Sequence, residues 1–95
     1  MDQSERSESI GNETNTAVLL EQEEERRKLR RLQIMMSMVM SVISQDADLS
    51  VEEAAELVAN AKRAALAMFP DKEFAYDILY KPRLQRLMAE RFRMQ

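Results

Sequence analysis

From Leu29 to Ile43 the chain reads LRRLQIMMSMVMSVI. Leu29, Leu32, Met36, Val39 and Ile43 follow one another at steps of three and four, the spacing that stacks side chains along one face of an α-helix. Ile34, Met35, Met38, Met40 and Val42 widen that stripe to an apolar arc of roughly 240°, at about 100° per residue. Only Gln33, Ser37, Ser41 and Ser44 form a polar strip. A helix resting on a domain surface needs an apolar face of about 100° or somewhat more. The excess predicts a helix covered on several sides. Met36 and Met40 are expected inside the chain's own core, and Ile34, Met35, Met38 and Val42 against a partner.

The same reading extends along the chain. Helix 1 is expected over about 17–44, without Gly or Pro. Its charged block EQEEERRKLRR sets Glu23 and Glu24 four residues before Arg27 and Lys28, the favourable order for pairs along a helix. Val18, Leu19 and Leu20 precede this block, cut off from the main stripe by Gln22 and Glu25, and are assigned to partner docking. Ser50-Val51-Glu52-Glu53 reads as a capping box that opens helix 2, about 51–69. Its apolar face is expected to hold Val51, Ala55, Val58, Ala65 and Met68, with Leu57, Ala61 and Ala64 beside them. Phe69-Pro70-Asp71 ends it, because Pro disfavours helix in the residue before it and Asp71 can cap the next helix. Helix 3, about 72–80, is expected to turn Phe74, Ile78 and Leu79 inward. Pro82 suits the first turn of helix 4, about 82–94. Its apolar side is Leu84, Leu87, Met88 and Phe92. Lys81-Pro82 fits a kink as well as a break.

The fold class implied by these elements is all-α: a small bundle of three to four helices over residues 16–95, with a long first helix. Residues 1–15 carry one large apolar residue after Met1, Ile10. Such a segment buries too little to offset its ordering entropy, so a disordered acidic tail is expected.

Composition narrows the chemistry. The 95 residues include no Cys and no His, which removes disulfides, thiolate metal sites and the commonest metal ligand and general base. Small domains are usually reinforced by disulfides, metals or oligomerisation, and of these self-association remains. The net charge of −3 is uneven: residues 34–80 sum to −5 and residues 81–95 to +4. The longest apolar run, Ala64 to Phe69, falls far short of the ~20 residues that span a bilayer. No membrane association and a cytoplasmic location are expected.

Candidate sites are few. Asp46-Ala47-Asp48 opens like a calcium loop, but Val51 stands where Gly is required and Leu57 where the closing Glu belongs. Acidic residues complementing a helix N-terminus explain it better. Helix 2, the Phe69–Lys72 turn and helix 3 imitate a helix-turn-helix, yet Glu73 and Asp77 on the reading helix would repel phosphates. Nothing in the sequence forms a catalytic triad, a phosphate-cradling glycine loop or a cofactor motif. The expectation is a non-catalytic protein–protein interaction module, a homo-oligomer (simplest as a dimer) or an adaptor. Its partner-binding residues are Val18, Leu19, Leu20, Ile34, Met35, Met38 and Val42. The alternative is a nucleic-acid-binding accessory that uses Lys81, Arg83, Arg86, Arg91 and Arg93 of the last helix.

Overall fold

Four α-helices succeed one another in the computed structural model, which describes the backbone of residues 2–93 and the side chains of residues 15–93. They are α1 (Asp2–Gln45), α2 (Val51–Met68), α3 (Glu73–Leu79) and α4 (Lys81–Phe92). No strand occurs among the described residues. The disordered tail expected over residues 1–15 falls, Asn15 apart, outside the residues whose side chains are described. The chain divides into two compact units, Met1–Arg31 and Leu32–Gln95.

In the first unit no described side chain is buried, and Glu23 and Lys28 alone are half-covered. Glu23 pairs with Arg26 at 2.5 Å and with Arg27 at 3.7 Å. The pair expected between Glu24 and Lys28 does not form. Glu23 instead takes both nearby arginines, because the i, i+3 and i, i+4 positions lie on the same side of the helix. Leu29, expected at the head of the core stripe, is exposed.

The second unit is the bundle, and its core is one cluster fed by all four helices. Leu32, Met36, Val39 and Ile43 come from α1, Ala54, Ala61 and Ala65 from α2, Tyr76 from α3 and Leu84 from α4, all at most 7% exposed. The row on α1 is the expected stripe without its first member. On α2 the inward face is the expected one over Val58, Ala61, Ala65 and Met68 and differs near its start. Ala54 is buried while Ala55 is exposed, and Leu57, Val58 and Met68 pack at the edges of the core. Glu52, Glu53, Glu56, Asn60 and Arg63 gather on the solvent side of α2, which sets Ala54, Ala61 and Ala65 opposite them at the centre of the inward face. Ala55 lies about 100° further round from Ala54 and falls outside that sector.

Local chemistry sets the boundaries. The Ser50 hydroxyl accepts from the Glu53 amide at 3.1 Å, and the Glu53 carboxylate accepts from the Ser50 amide at 3.0 Å, closing the capping box. Just before it, the Asp48 amide donates to the Asp46 carboxylate at 3.0 Å, so Asp46 shapes the turn. The Phe69 amide donates to the Ala65 carbonyl at 2.9 Å, and Pro70 follows. Asp71 does not cap α3. The N-cap is Lys72, without a side-chain hydrogen bond, since the turn through Phe69 and Lys72 sets the entry one residue later. Tyr80 separates α3 from α4 with φ −110° and ψ −37°, and Pro82 sits in the first turn of α4.

Candidate interaction surface

In the second unit, α1 has two unlike sides. Its buried row is backed by Ile34, Met38 and Val42, spaced by four residues and therefore aligned along the helix. These three are 54%, 64% and 38% exposed. Met35, expected beside them, is half-buried and packs against the core, which removes it from the free surface. Thioether side chains fill irregular gaps readily, and Met35 does so at the edge of this cluster. In the first unit Val18, Leu19 and Leu20 are all exposed.

A second apolar surface departs from the periodicity of the sequence. Phe74, Ile78 and Leu79, expected inward, face solvent, with Phe74 78% exposed. The seven residues of α3 are apolar on more than one side, and Tyr76 with Tyr80 competes with Phe74 and Ile78 at the same four-residue spacing. The tyrosines take the core side, their ring centroids 5.6 Å apart. Lys62 holds this orientation from α2, with Nζ 3.1 Å from Asp77 and 3.3 Å from Glu73. These carboxylates, Asp77 before Glu73, hold the Lys62 ammonium above its ordinary value.

The basic residues of α4 do not share one face. Arg83 and Arg86 line a shallow groove of about 340 Å³ with Ser41, Ser44 and Gln45 of α1. They stand beside the last turn of α1, which has no basic residue of its own and whose carbonyls carry the negative end of the helix dipole. Arg91 donates to the Asp46 carbonyl at 2.7 Å, and its guanidinium lies 5.3 Å from the Phe92 ring centroid. Arg93, with φ 49° and ψ 44°, closes the helix in the left-handed region. Lys81 lies on the opposite side of α4 from Arg83, two residues and about 200° away. Glu90 falls within the sector of Arg83, Arg86 and Arg93.

Among the described residues no three His, Cys, Asp or Glu side chains converge in a way that could hold a metal ion. No helix among them is long and apolar enough to cross a membrane. No family model, no curated protein and no solved structure matches this chain.

Proposed function

We propose that this chain is a non-catalytic protein–protein interaction module that associates through the outer side of α1, most simply with a second copy of itself. One observation carries the reading. Ile34, Met38 and Val42 form an aligned exposed row on the helix whose other side supplies Leu32, Met36, Val39 and Ile43 to the core. Burying a large aliphatic side chain is worth about 1.5–3 kcal/mol, so joining two such rows offers several kcal/mol before the cost of association. A two-fold dimer is the simplest closed arrangement, since one self-complementary row then meets itself. Val18, Leu19 and Leu20 supply a separate apolar contact in the first unit.

Light scattering on the unmodified protein and on Met38→Glu tests this reading. The unmodified protein should run as a dimer. Met38→Glu should be a monomer with unchanged helical signal, because like charges then face each other across the seam. A monomeric unmodified protein at high micromolar concentration overturns self-association. So does a Met38→Glu chain that unfolds without first dissociating.

The second reading, nucleic-acid binding through α4, draws on Arg83 and Arg86 standing together without an ion pair among the described residues. Arg91 tied to a carbonyl and Glu90 within the arginine sector weaken it. Submicromolar retention of nucleic acid at physiological salt, lost on neutralising Arg83, Arg86 and Arg93, would favour it.

A further inference from the structure

Methionines cluster on α1 at Met35, Met36, Met38 and Met40, and packing treats them unequally. Met36 is 1% exposed and belongs to the core. Met35 and Met40 are half-buried against it, as are Met68 of α2 and Met88 of α4. Met38 alone among the described methionines is exposed, at 64%. It stands between Ile34 and Val42 in the outer row of α1, which makes it the middle of the surface proposed above to meet a second copy.

A thioether is a soft nucleophile that peroxides convert to a sulfoxide. The chain holds no Cys, so no thiol competes for the oxidant. A sulfur lone pair attacks one peroxide oxygen and the O–O bond breaks. The departing hydroxide takes up the proton of the transferred oxygen and leaves as water. Sulfur is oxidised by two electrons, and the peroxide is reduced by the same two. The oxidant must touch the sulfur, so the rate follows exposure. Met36 is screened by the core, whereas Met38 is open in the separated chain. Pairing through α1 covers Met38 as well, so its oxidation proceeds through the separated chain and quickens on dilution.

The product changes the chemistry of the row. A thioether is apolar and flexible; a sulfoxide is polar, and its oxygen is a strong acceptor. Neither Ile34 nor Val42 carries a side-chain donor, and Ser41, on the flank of the row, lines the groove toward Arg83 and Arg86 instead. Closing a seam over the sulfoxide strips its oxygen of water and leaves it without a partner, which is costly. In a two-fold seam this happens once in each chain. The core is spared, because Leu32, Met36, Val39 and Ile43 lie on the other side of α1. We propose that Met38 is an oxidation site, where a peroxide forms the sulfoxide and so separates two copies of the chain without unfolding either, a step that rests on association through α1. Methionine sulfoxide reductase restores the thioether with a dithiol, which becomes a disulfide while the oxygen leaves as water.

The test treats the full chain with hydrogen peroxide and follows it by peptide mass mapping, light scattering and circular dichroism. Light scattering before any peroxide is added decides association by itself: a monomer at high micromolar concentration ends that reading and the switch with it. In a chain that starts as a dimer, Met38 should gain an oxygen well ahead of Met36, and ahead of Met35, Met40, Met68 and Met88. The gain should quicken when the chain is diluted below its dissociation constant. Oxidation should raise that constant by about tenfold or more, as expected for an unsatisfied buried acceptor. The helical signal should be unchanged, and the reductase should restore the dimer. Met38→Leu keeps the row apolar, so it should dimerise as before and stay dimeric in peroxide. Oxidation of Met36 or of the half-buried methionines as fast as Met38 would overturn the proposal. So would a rate at Met38 that dilution leaves unchanged, a Met38→Leu dimer that peroxide separates, or loss of the helical signal on oxidation of Met38. A chain that stays dimeric with Met38 fully oxidised would overturn the switch while leaving association standing.

Discussion

The Lys62 ammonium on α2 lies 3.1 Å from the Asp77 carboxylate on α3. This contact between helices selects which side of α3 faces the core. With Asp77 turned toward α2, Tyr76 enters the cluster and Phe74, Ile78 and Leu79 turn to solvent. A base whose value is raised on folding contributes stability below its ordinary value and loses it as pH rises through the raised one. The thermal midpoint of Lys62→Met should therefore lie a few degrees below that of the unmodified protein throughout the neutral range. The gap should close only in alkali, above the ordinary lysine value of 10.5. Circular dichroism melts across pH measure it.

Phe74 and Ile78 should be nearly silent in folding. Replacing either by Ser at an exposed position should change stability by no more than about 0.5 kcal/mol. Tyr76→Ala, on the opposite side of the same helix, should cost about 3–5 kcal/mol, as for other large buried aromatics. Urea unfolding of the three variants separates these outcomes.

Leu84 is 2% exposed, whereas Leu29 is exposed. Leu84→Ala should cost about 2–5 kcal/mol through lost burial and the cavity left behind. Leu29→Ala should stay within about 0.5 kcal/mol. Equal losses from the two would place Leu29 in the core.

Ser50→Ala should cost about 1 kcal/mol, the usual loss for an N-cap. The Ser50 amide, followed by its hydroxyl, holds the Glu53 carboxyl below its ordinary 4.5. A carboxyl lowered on folding contributes stability above its ordinary value and loses it as pH falls through the lowered one. The destabilisation by Glu53→Gln should therefore be full at neutral pH and vanish in acid, which melts between neutral and acid pH can follow.

The features legible in the sequence are local ones. Ser50 and Glu53 lie three residues apart and cap whatever surrounds them. The row Leu32, Met36, Val39 and Ile43 is fixed by helical periodicity alone. Leu29 continues that periodicity, but periodicity does not say how far the covering helices reach. The direction of α3 depends on Lys62, more than ten residues away, and on two tyrosines outcompeting a phenylalanine and an isoleucine.

The alanines of α2 set a dimension of the fold. Ala54, Ala61 and Ala65 place little beyond a methyl group between α2 and its neighbours. At such positions, added methylenes force neighbours off their rotamers or shift the backbone, typically at about 1–3 kcal/mol. Sequence drift along this face is therefore one-sided. Ser and Gly remain open to it, while Val, Leu and Phe are closed despite being more hydrophobic. Hydrophobicity is a poor guide to what α2 accepts; the width of the gap it occupies is the better one.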